Sequence, residues 1–110
     1  SAYVPKFIGE TIRDIVLRLA GELGISLEEV AHWAIHPGGR AILDRSAEAL
    51  GLDPSALEHS YAVLRDYGNM SSATIFFVLK RHLEAPGTGP LFASAFGPGL
   101  TVESALMTKC

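Results

Sequence analysis

Residues Ala31 to Arg40 read AHWAIHPGGR, and the way this stretch is taken decides the fold. Ala31 to Ile35 is a short apolar run with one polar interruption, His32, and it reads as a buried strand placed at the centre of a sheet. His36 follows at the end of that run. Pro37, Gly38 and Gly39 turn the chain, and a helical pattern covers Gly39 to Leu50 with Ile42, Leu43, Ala47 and Leu50 as its apolar stripe. Open α/β sheets gather ligands outside the carboxyl ends of their strands, so His36 is the first candidate for chemistry. A histidine capping a turn is the plainer alternative. The second glycine of the pair lets a substrate approach the backbone closely.

Upstream, Phe7, Ile8, Ile12, Ile15, Val16, Leu19 and Leu23 recur at three- and four-residue spacings with charged residues between them. That is an amphipathic helix beginning near Pro5 and stopped by Gly24. Ser26 and Glu29 form a capping-box pattern for a short helix ending near Val30. Downstream, Gly51 ends the second long helix, and Asp53-Pro54 starts another that runs to about Arg65. Asp66 to Asn69 is a turn, and Ser71 or Ser72 caps the next helix. Its apolar set, Ile75 to Leu79 with Leu83, competes with a strand assignment. Lys80, Arg81 and His82 near its end favour the helix, and so apolar a helix is expected to be buried on most sides. Glu84 to Pro90 is a loop. Leu91 to Phe96 and Leu100 to Met107 read as strands around Gly97-Pro98-Gly99, a pair able to form a hairpin with a wide loop, since Pro98 has no N–H to give. The order fits a layered α/β domain with a thin sheet.

Composition narrows the function. The chain has 110 residues, enough for one core, and with 48% hydrophobic and 19% charged residues it is a folding sequence. A net charge of -3 with scattered basic residues speaks against nucleic-acid binding. No apolar run approaches the length of a membrane span, and SAYVPKF is not a signal peptide. The lone cysteine, Cys110, excludes a disulfide framework and fits a reducing, cytoplasmic compartment. The missing initiator methionine points to processing, a tag scar or a fragment.

The chemistry-bearing residues are few. Asn69, between Gly68 and a helix start, is either a turn residue or the partner of His36. A neutral imidazole Nε2–H and an amide N–H aimed at one developing negative oxygen make an oxyanion hole, which also suits an enolate. A nucleophile with its base is missing. Ser71 and Ser72 read as helix caps, His32, His59 and His82 as ordinary histidines, and Cys110 as a weak nucleophile at a chain end. No Cys-Cys-His or HExxH spacing supports a metal. Gly97 and Gly99 around Pro98 read as a rigid pocket wall or a plain turn.

Three motifs carry a resemblance. WAIHPGGRAILD (Trp33 to Asp44), LRDYGNMSSAT (Leu64 to Thr74) and FGPGLTVE (Phe96 to Glu103), in this order and spacing, resemble the C-terminal part of type III polyketide synthases, the chalcone and stilbene synthase family. Val4-Pro5 and Gly51-Leu52-Asp53-Pro54 fit as well. The resemblance covers essentially the whole chain but only the final part of a family member, so residues 1–110 are expected to be a partial C-terminal domain of a longer synthase. It implies a thiolase-like αβαβα fold, a homodimer, and a Cys-His-Asn set that uses acyl-CoA and malonyl-CoA as substrates without a resident cofactor. By motif, the catalytic histidine falls on His36 and the asparagine on Asn69. The cavity-lining serine falls on Ser71 and the cavity loop on Ala95, Phe96, Gly97, Pro98 and Gly99. The backbone contact at the coenzyme A tunnel falls on Ala41. The nucleophilic cysteine, the basic residues that hold coenzyme A phosphates and the aromatic gatekeepers are absent, so the isolated chain is expected to be inactive. Ala95 stands where the family usually has glycine, and Arg40 where plant members usually have proline; Arg40 would then meet a phosphate at the tunnel mouth or merely solvent. A ketoacyl synthase of the fatty-acid type III kind is a rival within the superfamily, disfavoured by HPGG and GNMSS. A non-catalytic thiolase-like scaffold or binding module is the rival of another class.

Overall fold

A computed structural model describes residues 3–69, 73–97 and 101–110. The first helix, α1 (Tyr3–Leu23), follows the expected stripe, with Ile8, Ile12 and Val16 buried. The Glu29 carboxylate accepts from the Ser26 backbone N–H at 3.2 Å, which starts a single 3-10 turn, Leu27–Glu29. Strand β1 (His32–Ile35) and helix α2 (Arg40–Leu50) come next. Gly51, in the left-handed conformation, closes α2 through bonds to Ala47 and Glu48.

The helix expected from Pro54 to Arg65 is divided. Asp53 accepts from the Ser55 N–H at 2.9 Å and opens a 3-10 turn, Pro54–Leu57, before α3 (Glu58–Tyr67). Helix α4 (Thr74–Glu84) settles the helix-or-strand ambiguity as helix, and its expected cap, Ser71 or Ser72, lies outside the described residues. The final strands, β2 (Gly89–Gly97) and β3 (Thr101–Lys109), run longer than the apolar pattern indicated. They form an antiparallel hairpin from Gly97↔Thr101 to Gly89↔Lys109.

The sheet order is β1-β2-β3, with β1 parallel to β2. The expectation that β1 lies at the sheet centre is therefore corrected: β2 is central and β1 is an edge. The reason is that helices cover both faces of β1, so Trp33, Ala34 and Ile35 are as buried as in a central strand. An apolar run reports face burial and not ladder partners. Alternation sends Trp33, Ile35, Phe92 and Leu106 into a core with α1, α2 and Leu57. Ala34, Leu91 and Ala93 go into a second core with Val63 of α3 and Ile75 and Val78 of α4. The layers are thus helix, sheet, helix. The expectation that α4 is buried on most sides is also corrected. Phe76 and Leu83 are 70% and 67% exposed, because α4 lies across one edge of the sheet and leaves the outer residues of β3 uncovered.

Candidate active site

Three hydrogen bonds of backbone groups build the site. The His36 N–H bonds Ser94 O at 3.0 Å, which continues the parallel ladder one residue past β1. The next rung of such a ladder would carry the Phe96 N–H to the His36 carbonyl. Pro37 turns the chain instead, and that carbonyl accepts from the Gly38 N–H at 2.9 Å. The Phe96 N–H is left to His36's own imidazole, donating to Nδ1 at 3.0 Å. The histidine side chain thus replaces a rung of the sheet. It is 2% exposed, and its ring stacks on Phe96 with centroids 5.1 Å apart.

This contact fixes the protonation pattern. A backbone N–H can only donate, so Nδ1 accepts and the neutral ring carries its proton on Nε2. His36 Nε2–H in turn donates to Asn69 Oδ1 at 3.2 Å, and Asn69 Nδ2–H donates to Gly38 O at 3.4 Å. The chain of bonds begins at a backbone donor and ends at a backbone acceptor, so its direction and the amide orientation are both determined. Two N–H groups converging on one point are not the observed arrangement: the amide oxygen faces the ring, because the fixed Nε2–H requires an acceptor there.

The surrounding elements hold this pair from both sides. Asn69 follows α3, whose last turn is closed by Gly68 at φ 71. Gly39, at φ 148, precedes α2 in a region that L side chains rarely adopt. A Cβ on Gly38 would lie 3.1 Å from Ile42 and 3.3 Å from the Phe96 ring, and one on Gly97 would lie 2.6 Å from Thr101 Oγ1. Ala41 sits exposed in the first turn of α2, where helix geometry gives its N–H no acceptor within the helix. Ser71, Pro98 and Gly99 lie outside the described residues. Between α2, the Pro54–Leu57 turn and α3 lies a cleft of about 580 Å³ lined by Arg40, Asp44, Pro54, Tyr61, Leu64 and Arg65. Tyr61 donates to Asp44 at 2.5 Å, and burial together with that bond pushes its pKa up to about 12, so it remains a neutral donor.

Two features escaped sequence reasoning. Phe96 was legible as a cavity residue, but its backbone bond to His36 depends on strand register across sixty residues, for which no local signal exists. Ser60, fully buried on α3, donates to Ile35 O at 2.6 Å, and nothing in its neighbours marks it. The three histidines read as ordinary prove to be neighbours, with His82 edge-on to both His59 and His32 at the end of β1 remote from His36. Cys110 lies past Lys109, at the Gly89 end of the hairpin. Seven residue steps of strand separate that end from Phe96, roughly 23 Å.

Residues 1–110 match the family model described as chalcone and stilbene synthases, C-terminal domain. A bisdemethoxycurcumin synthase from Oryza sativa subsp. japonica is 39% identical over 94% of this chain, which spans only 29% of that enzyme. Among solved structures, 1,3,6,8-tetrahydroxynaphthalene synthase from Streptomyces coelicolor, a bacterial type III polyketide synthase, superposes with a TM-score of 0.83. It is 34% identical over 94% of this chain and 30% of its own. CsyB complexed with CoA-SH gives a TM-score of 0.83 at 28% identity, over 97% of this chain and 32% of its own. The mixed helix-and-sheet architecture is that of these thiolase-like enzymes, and the chain spans about a third of their length. The family match over the whole chain, at this identity to its members, shows that the chain belongs to the chalcone and stilbene synthase family of type III polyketide synthases, as its C-terminal domain.

Proposed function

We propose that this chain supplies the histidine–asparagine half of a decarboxylating Claisen site, working with a cysteine on the remainder of a longer synthase. The observation that carries the reading is the directed chain from Phe96 N–H through His36 to Asn69, which keeps Nε2 a permanent donor beside an amide. Malonyl-CoA bound with its thioester oxygen at Nε2–H loses carbon dioxide as the C–C bond to the carboxylate breaks. The electron pair passes through the α-carbon to that oxygen, giving an enolate. The oxygen takes over the Nε2–H from Asn69, and the amide swings its Nδ2–H from the long Gly38 contact toward the same charge. The enolate carbon then attacks the thioester carbonyl of the cysteine-bound acyl group, and the cysteine sulfur leaves as thiolate.

The coenzyme A complex of CsyB supports a coenzyme A thioester as the substrate class. Arg40, exposed in the cleft between α2 and α3, adds one cation toward its phosphates beside the basic residues of the remainder, and the first-turn N–H of Ala41 meets the coenzyme A arm. Phe96 and Gly97, with Ser71, Pro98 and Gly99, wall the acyl cavity. No resident cofactor takes part, the working form is a homodimer, and residues 1–110 alone do not condense, because Cys110 is at the far end of the sheet.

The test is malonyl-CoA decarboxylation and condensation by the full synthase. His36→Ala and Asn69→Ala are each expected to lose on the order of a hundredfold or more in kcat. Asn69→Asp should be at least as damaging, since a carboxylate repels the enolate. Full activity in both alanine variants would refute the assignment.

A further inference from the structure

Behind the His36–Asn69 pair lies a buried hydroxyl, that of Ser60. The peptide joining Ile35 to His36 is trans, so its N–H and C=O point in opposite directions. Its N–H faces β2 and bonds Ser94 O. Its carbonyl therefore faces away from the sheet, at the outer edge of β1, where no strand accompanies it among the described residues. Ile35 is fully buried, so that carbonyl must find a donor. The donor is Ser60 Oγ–H at 2.6 Å, from a serine that is itself fully buried.

We infer that Ser60 is a positioning residue for His36, setting the catalytic imidazole against Asn69 by clamping the preceding peptide to α3. This inference rests on the chemistry proposed above for the pair. Its basis is that one helix holds both partners. Near its start, Ser60 grips the peptide that carries His36. Just past its end, Asn69 accepts from the His36 ring at 3.2 Å. Displacing α3 from β1 would move both attachments, and the separation of the two groups is then set by the helix. The same bond seats the His36 N–H on Ser94 and so the ring on the Phe96 N–H. Loss of the hydroxyl frees the peptide plane to tilt, and a tilt there swings the imidazole away from the substrate oxygen. Stabilisation of a developing charge demands fixed geometry, so turnover suffers before substrate binding does.

The experiment is steady-state malonyl-CoA decarboxylation by the full synthase, run well below its unfolding temperature. The variants are Ser60→Ala, Ser60→Thr, Val63→Ala and His36→Ala. Val63 is a buried core residue of the same helix and makes the comparison for lost packing alone. Ser60→Ala is expected to lower kcat on the order of tenfold with KM unchanged. Ser60→Thr, which keeps the hydroxyl, should restore most of it, and Val63→Ala should lose thermal stability without that drop in kcat. Equal kcat for Ser60→Ala and Val63→Ala, or no rescue by threonine, would overturn the inference. His36→Ala separates the two ways to fail. An active His36→Ala removes the chemistry of the pair and the clamp's purpose with it, whereas an inactive His36→Ala beside a fully active Ser60→Ala removes the clamp alone.

Discussion

His36 shows how little of a side chain's role lies in the side chain. Any histidine can carry its proton on either ring nitrogen, and the choice here is made by the Phe96 backbone N–H. Long-range proton–nitrogen correlation spectra of the chain at neutral pH should find His36 as the Nε2–H tautomer. A proton on Nδ1 would contradict the assigned direction of the network. At the opposite end of β1 a different histidine is kept neutral by burial. His82 is 4% exposed, bonds Trp33 O at 3.0 Å, and has His59, His32 and Lys109 as its cationic or titratable neighbours. Burial, reinforced by those neighbours, lowers its pKa from 6.5 to about 4. The unfolded chain therefore takes up a proton near pH 6.5 that the folded chain refuses until about pH 4. Stability from this group is complete above the unfolded value and falls as the pH drops between the two, by an upper bound of roughly 3 kcal/mol. Urea midpoints measured from pH 7 to pH 4 should fall steeply. His82→Gln, whose amide still reaches for Trp33 O, should flatten that slope, and an unchanged slope in the variant would rule His82 out as its cause.

At the scale of elements, contacts between backbones matter more than the apolar stripes that announce the helices. The stripe of α1 was legible, as were the Gly51 stop, the Asp53-Pro54 start and the hairpin strands, because each is written in neighbouring residues. Gly9 was not legible, because it lies among polar and apolar positions of an ordinary helix. A Cβ placed there would lie 2.8 Å from the Arg45 carbonyl of α2, and a carbonyl inside a helix cannot move aside. Gly9→Ala should thus push α1 from α2 and cost about 1–3 kcal/mol despite alanine's better helix propensity. Chemical denaturation would detect this, and a neutral or stabilising result would mean that the two helices shift past each other freely. The same distinction explains the site. The HPGG turn and Asn69 could be picked out locally, with the family motifs around them. The Phe96 bond, the Ser60 clamp and the edge position of β1 arise only when β2 is laid beside β1, a pairing that no short stretch encodes.

At the scale of the molecule, compactness and surface character point in different directions. The Cα radius of gyration is 12.7 Å, close to the roughly 13 Å of a self-contained domain of this length. Two cores fill the space on either side of the sheet. Yet Phe76, Leu83, Tyr67 and Met107 are 70%, 67%, 57% and 43% exposed, and Phe77 stacks on Tyr67 at 5.0 Å. Phe76 and Leu83 are two helical turns apart on α4 and so share one face, next to the uncovered outer residues of β3. Along the outer edge of β1 the Trp33 and Ile35 carbonyls accept from side chains, His82 and Ser60, in place of a neighbouring strand. An exposed apolar face gains free energy by meeting another such surface in water. Residues 1–110 alone should therefore self-associate, with a weight-average mass in sedimentation velocity that climbs along a concentration series. Phe76→Glu with Leu83→Lys should return the chain to monomer while its helical circular dichroism stays the same, since neither residue belongs to a core. A wild-type chain that stays monomeric throughout would mean that these side chains lie down on their own domain in solution, and that the face is closed without a second surface.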